Sequence, residues 1–420
     1  MNNSFGRRVN LQHTASVVMI SMYVLLAPIL VLSTPIGFLG ATELLSFFGV
    51  LTLISFKTIR LSTASILYSI FLVYFVIVNM IVALVKPVNG DLFLVLRLVT
   101  SFLPFLLFDQ ITNYSEKHLL LFRKLFLTGL SIAVLAGLVM FIFGIELRDG
   151  QQRLWYDGGS MARAGGLTGN SGGFGFVSAL FISYLWIDRS LSKKPMNIIA
   201  FYLLIFSGLA AVALSSSRAA FLFLIVMFAV LLIAKIIVLD RSLIKIFFQS
   251  LIIVFLVSWV LSLGLYYDNE LSLFVLRSLE RLDVLNLAGQ DAFLKTARFS
   301  NWPIVTAEIQ NNLFIGLGYK QFFSIFKIYS DNSFIGIAID GGVFSLFFYA
   351  LFWIFCVLEA IYKMLYTDIL YKYLIAFLMG SLAFAVTVDF YSMWYPSALF
   401  FMAYGMLRLT LYHSVVARIR

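Results

Sequence analysis

The residue types best suited to chemistry lie at the ends of long apolar runs. The first such segment, 158–175 (GGSMARAGGLTGNSGGFG), contains eight glycines and Arg163. This glycine density lets a backbone approach a ligand closely and leaves N–H groups free to bind an anion. The alternative is a re-entry loop whose small residues allow close helix packing. The segment lacks GxxxxGK[ST], so it is not a nucleotide-binding P-loop.

A second segment, Ser215-Ser216-Ser217-Arg218, joins two long apolar runs. An arginine near hydrocarbon costs roughly 2.5 kcal/mol or more unless it is paired or reaches the headgroup layer. Such a cost indicates a functional cation. The alternative is that Arg218 reaches the headgroups from an ordinary tight turn.

A third group of candidate residues consists of three short motifs followed by Asp340. The motifs are R-x-x-x-W-P (298–303), F-x-G-x-G-Y (314–319) and S-D-N-S-F (330–334). Asp340 is predicted to lie about two turns inside the next apolar run, where acids are functional candidates by default. Asp331 stands at the mouth of that run. The alternative for Asp331 is a helix N-cap, because aspartate is favoured there.

Composition decides which elements position these residues. The chain has 420 residues, of which 62% are hydrophobic and 12% charged, whereas soluble domains have about 45–50% and about 25%. A mean hydropathy of +0.99 leaves too little polar surface for a soluble globular enzyme. One cysteine and three histidines exclude a disulfide and a Cys-based metal site and leave little scope for a His-ligated metal.

About twelve runs are long and apolar enough to cross a bilayer, or nearly so. They lie near 17–36, 40–56, 65–85, 92–108, 125–145, 168–187, 197–214, 219–239, 247–267, 333–356, 369–388 and 393–412. None alternates with period two, so spanning helices are expected. The sequence therefore predicts an all-α polytopic membrane protein, with its first run a retained anchor.

Most Lys and Arg residues between the runs fall on the side that is cytoplasmic if the N-terminus is. By the positive-inside rule both termini are then cytoplasmic. The prediction is one integrated membrane domain with an N-terminal bundle (1–145), a first outside loop (146–167), central helices (168–267), a second outside loop (268–332) and C-terminal helices (333–420). The two larger loops are expected to contain short amphipathic helices, one over 271–285 and another starting near Pro303.

At these residues the sequence resembles the bacterial O-antigen ligase and polymerase superfamily, a group of polytopic inner-membrane glycosyltransferases. The resemblance covers the plan of spans and periplasmic loops and is most specific from 163 to 342. The segments that carry it are 163–170, 215–218, 298–302 with 312–318, and 331–335. Ligases of the family resemble one another in having a histidine before the asparagine of the last segment. Asp331 stands there, so the sequence is more similar to a repeat-unit polymerase.

The resemblance implies transfer of a growing glycan from undecaprenyl pyrophosphate to another lipid-linked repeat unit at the periplasmic face. Because such a donor carries its own leaving group, no cofactor or metal is expected. Implied partners are undecaprenyl-pyrophosphate-linked oligosaccharides, membrane lipids, and a chain-length regulator and a flippase of the same pathway. The excess of Lys and Arg over Asp and Glu is explained by membrane orientation and by phosphate binding. A nucleic-acid partner is therefore not expected.

On this hypothesis Arg163, Arg218 and Arg298 converge on the pyrophosphate, because arginine holds phosphate oxygens in bidentate pairs. Asp331 assists the attacking hydroxyl as a base or orients it, and Arg218 and Arg298 share the catalytic role with it. Contacts with the glycan are expected from Trp155, Trp302 and Asn332. For the two tryptophans the alternative is an interfacial aromatic belt.

Three other functions compete with the polymerase. An O-antigen ligase would move the glycan to the lipid A core. A lipid-linked oligosaccharide flippase or other transporter would show repeat symmetry and interrupted helices at corresponding places in two halves, and neither is apparent in the sequence. A non-catalytic scaffold would tolerate substitution of all three arginines.

Overall fold

The computed structural model describes residues 17–29, 31–34, 37–55, 59–85, 92–110, 116–145, 153–156, 159–192, 195–237, 302–326, 330 and 332–419. The α-helices in these ranges are α1 (Val17–Leu26), α2 (Ala41–Ser55), α3 (Thr63–Val85), α4 (Leu92–Asp109), α5 (Glu116–Ile142), α6 (Ser171–Leu191), α7 (Ile198–Ser215), α8 (Arg218–Ile237), α9 (Trp302–Asn311), α10 (Gln321–Phe326), α11 (Ser333–Tyr366), α12 (Lys372–Thr387) and α13 (Trp394–Ile419). Three 3-10 turns cover Gly166–Thr168, Ile369–Tyr371 and Phe390–Ser392. The predicted run 247–267 and the predicted helix 271–285 lie outside the described residues.

Six helices of the described ranges are long and apolar enough to cross a membrane. They are Thr63–Val85, Lys117–Ile142, Ser171–Leu191, Ile198–Ser215, Ser333–Tyr366 and Ile369–Thr387. Three shorter apolar helices are Val17–Leu26, Glu43–Ile54 and Arg218–Ala234. A helical membrane protein is thus confirmed in its main lines, and the count of about twelve spans stays a prediction.

Two short hairpins accompany the helices in the described residues. The run 17–36 is not one helix: α1 ends at Leu26, and β1 (Val31–Thr34) pairs antiparallel with β2 (Gly37–Gly40). Pro35 follows β1 in the sequence. Because proline has no backbone N–H, it cannot donate the hydrogen bond that a helix continuing through this position would need.

The second hairpin lies in the first outside loop, where an amphipathic helix was expected. Strand β3 (Arg153–Tyr156) pairs antiparallel with β4 (Gly159–Ala162). The two residues between them in the sequence are Asp157 and Gly158, a pair typical of two-residue hairpin turns. The sequence signal for this hairpin was therefore present and local.

One helix that was predicted in the second large loop is observed. The sequence predicted a helix starting near Pro303, and α9 begins one residue earlier, at Trp302. Proline is favoured in a first helical turn because its missing N–H would have no intrahelical partner there.

An aromatic cluster joins four of the helices. The ring of Tyr68 in α3 lies 4.6 Å from Phe102 in α4, 4.9 Å from Phe352 in α11 and 4.6 Å from Phe401 in α13. Tyr68 is 3% exposed. Tilted and edge-on aromatic pairs contribute about 0.5–1.5 kcal/mol each beyond their buried area, so this cluster fixes how α3, α4, α11 and α13 pack.

Charged side chains join helix ends at one end of the bundle. Arg408 of α13 pairs with Asp109 of α4 at 3.4 Å and with Glu359 of α11 at 3.5 Å. Arg123 of α5 pairs with Asp188 of α6 at 2.5 Å. The loops predicted to be cytoplasmic share this end, whereas the side of the membrane that it faces stays a prediction.

Candidate functional site

The opposite end of the bundle contains an interrupted helix. Within α11, Gly342 has φ +76° and ψ 179°, which breaks the helical path. Segment 312–320 packs against this break so closely that a Cβ at Gly342 would lie 2.3 Å from the carbonyl oxygen of Phe314. A Cβ at Gly316, itself at φ +71°, would lie 2.6 Å from the backbone nitrogen of Gly341. The glycines of both segments are required because one backbone lies directly on another.

Segment 312–320 also supplies hydrogen-bond partners for the backbone groups around the break. The bonds run from Leu317 N–H to the Ile339 carbonyl (2.7 Å), from Gly318 N–H to the Asp340 carbonyl (3.1 Å) and from Val343 N–H to the Leu313 carbonyl (2.7 Å). Irregular backbone at membrane depth is stable only when such groups are satisfied by protein or water.

The break places Asp340 beside two groups from other elements. Its side-chain Oδ2 accepts a hydrogen bond from the backbone N–H of Lys320 at 3.1 Å and another from the hydroxyl of Tyr391. Lys320 has φ +58°, a left-handed conformation uncommon outside glycine. Asp340 is only 4% exposed, so these contacts hold its carboxylate in one orientation.

A cleft of about 170 Å³ opens beside this carboxylate. Its lining residues are Lys320, Phe322, Phe323, Ser330, Gly336, Ile339, Asp340, Asp389, Tyr391 and Ser392. Two carboxylates, one ammonium group, hydroxyl groups and aromatic rings therefore share one small space. No three His, Cys, Asp or Glu side chains of the described ranges are grouped as metal ligands are.

Gly336 lets three side chains that line the cleft approach α11 closely. A Cβ at this position would lie 2.8 Å from Ser330 Oγ, 2.9 Å from Asp389 Oδ1 and 2.9 Å from Tyr391 Cε1. Three side chains from two other parts of the chain thus converge on α11 at a residue that carries no side chain.

Two tyrosines beside the cleft stay protonated. Burial, followed by the charges of Asp340 and Asp389, raises the pKa of Tyr391 well above its ordinary value. Burial and the same two carboxylates likewise raise the pKa of Tyr319, whose backbone N–H donates to Asn79 Oδ1 at 2.5 Å. Tyr391 is therefore a hydrogen-bond donor to Asp340 over the whole physiological pH range.

A second cluster joins two of the sequence motifs. The guanidinium of Arg163 donates through Nε to the carbonyl of Ser215 at 3.0 Å and through Nη2 to the carbonyl of Ser216 at 3.1 Å. These carbonyls end α7, where a cation is favoured by the helix dipole. Arg163 thus fixes the turn that precedes Arg218.

The glycine-rich segment packs against the same turn. A Cβ at Gly175 would lie 2.5 Å from Ser217 Cβ and 2.8 Å from Ser215 Oγ. Asn170 caps α6 by accepting a hydrogen bond from the backbone N–H of Gly173 at 3.0 Å. Close helix packing therefore accounts for Gly175, and anion binding by the remaining glycines stays a prediction.

Residues 388–393 connect the two clusters. The ring of Phe390 lies 4.8 Å from the ring of Phe176 in α6. Ser333, the first residue of α11, accepts a hydrogen bond from Phe390 N–H at 2.7 Å and donates to the carbonyl of Val388 at 2.9 Å. The Arg163 cluster and the Asp340 cleft therefore lie at the same end of the bundle.

The other predicted site residues are placed as follows. Arg218 begins α8 and is exposed. Asn332 is the N-cap of α11, and its side-chain oxygen accepts from Phe334 N–H at 2.9 Å and Ile335 N–H at 3.2 Å. Trp155 belongs to β3 and Trp302 begins α9. Arg298, Asp331 and the side chains of both tryptophans lie outside the described residues.

Tyr391, Lys320 and Asp389 were not predicted as site residues from the sequence, whereas Asp340 was a functional candidate because it is an acid inside a predicted span. A usable signal was the pair of polar residues, Asp389 and Tyr391, at the junction of two apolar runs on the side of the larger loops.

A comparison with protein families matched part of the chain. The family model described as O-antigen ligase matches residues 201–350. The matched range includes the turn 215–218, segment 312–320 and the first part of α11 with Asp340. No curated protein matches the chain. The family match confirms the resemblance to the O-antigen ligase and polymerase superfamily.

Proposed function

We propose that this chain belongs to the O-antigen ligase and polymerase superfamily and is a repeat-unit polymerase of a surface polysaccharide. It transfers a growing glycan from undecaprenyl pyrophosphate to a sugar hydroxyl of another lipid-linked repeat unit, at the periplasmic face of the inner membrane. The supporting observation is that segments 163–170, 215–218 and 312–318, which carry the resemblance, lie at one end of the bundle. A lipid-linked substrate presents its pyrophosphate and sugars at such an end.

Arginines bind the leaving group in this proposal. The bond from the sugar anomeric carbon to pyrophosphate breaks, and negative charge gathers on the departing phosphate oxygens. Arg163, Arg218 and Arg298 stabilise that charge through charge-assisted hydrogen bonds. Arg163 has a second task, because its bonds to Ser215 and Ser216 hold the turn that presents Arg218.

In this proposal Asp331 acts on the acceptor hydroxyl, either as the base that removes its proton or as the group that orients it. Trp155, Trp302 and Asn332 contact the glycan. Since the side-chain oxygen of Asn332 caps α11, its NH₂ group is the part assigned to a sugar oxygen.

A ligase is the second candidate, because the matching family model is described as O-antigen ligase. A strain that lacks the gene separates the two on a lipopolysaccharide gel. Loss of a polymerase leaves single repeat units on the lipid core, whereas loss of a ligase leaves the core without any.

The arginine roles are tested by complementing that strain with Ala and Lys variants of Arg163, Arg218 and Arg298. We expect each Ala variant to lose long glycan chains and each Lys variant to restore them only in part. The matched control is Arg189→Ala, at the opposite end of the bundle, where Arg189 Nη1 also donates to a backbone carbonyl, that of Met196, at 2.9 Å. Normal ladders from all three Ala variants at normal protein levels would contradict the proposal.

A further inference from the structure

The Asp340 cleft combines the groups by which proteins recognise sugars. Carboxylates accept hydrogen bonds from hydroxyl groups, and Asp340 and Asp389 both line the cleft. Both hydrogen bonds that Asp340 accepts from the described residues go to Oδ2, so Oδ1 is left for a ligand. The rings of Phe322 and Phe323 add apolar surface.

The size of the cleft limits the ligand. Its volume of about 170 Å³ equals roughly six water molecules of about 30 Å³ each. Pockets for drug-sized molecules measure about 300–1,000 Å³. A cleft of this volume is suited to one sugar ring.

The charge of the cleft argues against a pyrophosphate ligand. Asp340 and Asp389 contribute two carboxyl groups, whereas Lys320 contributes one ammonium group. Negative charge on Asp389, and on Asp340 when it is ionised, would repel two phosphates brought into this space. A neutral polyol suffers no such repulsion and donates hydrogen bonds to the same oxygens.

We propose that this cleft binds one uncharged sugar ring of the lipid-linked glycan, with Asp340 and Asp389 accepting hydrogen bonds from its hydroxyl groups. Tyr391 and the backbone of Lys320 hold the Asp340 carboxylate in place. Gly336 lets Ser330, Asp389 and Tyr391 line the cleft close against α11. The inference rests on the proposed glycan transfer and adds a sugar subsite separate from the arginine cluster.

A binding measurement on the purified full-length protein in nanodiscs tests this subsite. The probe is the repeat-unit oligosaccharide released by mild acid from the lipid-linked repeat units of the strain itself, so that the sugars need not be known beforehand. Inorganic pyrophosphate is the second probe, added alone and as a competitor. We expect the oligosaccharide to bind and pyrophosphate not to displace it.

Gly336→Ala is the informative variant, since its methyl group enters the space between Ser330, Asp389 and Tyr391. We expect oligosaccharide affinity to fall about tenfold or more, the effect of losing a hydrogen bond to a charged group. Asp389→Asn, which keeps the shape and removes the charge, is expected to weaken it several-fold. The affinity for pyrophosphate is expected to stay unchanged in both variants.

Gly49→Ala is the matched control, because this helical glycine is crowded by side chains to a similar degree. A Cβ there would lie 2.7 Å from Leu103 Cδ2 and 2.7 Å from Tyr23 Oη, in another part of the bundle. We expect its oligosaccharide affinity to equal that of the unmodified protein.

The outcomes separate the subsite from the proposed function. Equal oligosaccharide affinity in Gly336→Ala, Asp389→Asn and the unmodified protein overturns the subsite, even if the deletion strain has lost its polysaccharide. Displacement of the oligosaccharide by pyrophosphate also overturns it. An unchanged polysaccharide in the deletion strain instead overturns the proposed function.

Discussion

Tyr391 donates its hydroxyl hydrogen bond to the carboxylate of Asp340, a residue 51 positions earlier in the chain. Asp340 lies in the first part of the interrupted helix α11, and Tyr391 lies in the 3-10 turn between α12 and α13. The bond therefore fastens the break in α11 to the loop that also contacts α6. Four predictions follow from this arrangement and its surroundings.

Tyr391→Phe removes the donor and leaves the ring. Because the Asp340 carboxylate is buried, we expect the free energy of unfolding to fall by about 1–3 kcal/mol. Thermal unfolding of the purified protein in detergent measures the change. Tyr362→Phe is the control, since Tyr362 is 62% exposed, and an equal loss in both variants would contradict the role given to the Tyr391 hydroxyl.

The same variant alters stability in alkali. Burial, with the charges of Asp340 and Asp389, raises the pKa of Tyr391 in the folded protein above the unfolded value of about 10. The folded state then holds the proton longer, so stability is full below about pH 10 and is lost as the pH rises above it. Unfolding temperatures measured from pH 8 to alkaline values are expected to fall less steeply for Tyr391→Phe. An unchanged slope would exclude this tyrosine as a contributor.

Gly342→Ala tests whether the interruption of α11 is required. An alanine there must adopt φ +76° and ψ 179°, a region that is essentially restricted to glycine, and its Cβ meets the Phe314 backbone. We expect little folded protein by fluorescence-detected gel filtration. Gly144→Ala is the control, because Gly144 has φ +64° with no atom within 4 Å of its Cβ, and is expected to cost only about 1–2 kcal/mol. Similar behaviour of both variants would mean that segment 312–320 does not constrain the break.

Arg408→Met tests the charged end of the bundle. The substitution leaves Asp109 and Glu359 without the guanidinium that they share. Removing one partner of a buried ion pair costs about 3–5 kcal/mol, and we expect somewhat less because the Arg408 side chain is 20% exposed. Thermal unfolding is the measurement. Lys117→Met, an exposed site at the start of α5, is expected to have little effect, and a stable Arg408→Met protein would show that the pairs contribute nothing.

Local patterns in the sequence predicted most helix positions to within a few residues. Apolar length placed α3, α6 and α7 almost as observed, and Pro303 marked the start of α9. The pattern failed where a short local signal competed with hydropathy. The run 17–36 is apolar throughout, yet its helix ends at Leu26 and a hairpin follows.

The candidate site was only partly predictable. The motif segments around Arg163, Ser215 and Asp340 were recognised, but their partners were not. The contacts of Arg163 with the turn at Ser215 and Ser216 span 52 and 53 positions. Hydropathy and spacing describe neighbours within a few turns, so they carry no information about such pairs.

The sequence by itself determined that the chain is a helical membrane protein, which families its motifs resemble, and where most of its described helices lie. Only the tertiary structure decided that Arg163 holds the Ser215–Ser216 turn and that Asp340 meets Tyr391 in a cleft beside Gly336. The physical reason is that helix formation depends on local periodicity, whereas the partners of a buried charge depend on which helix ends packing brings together.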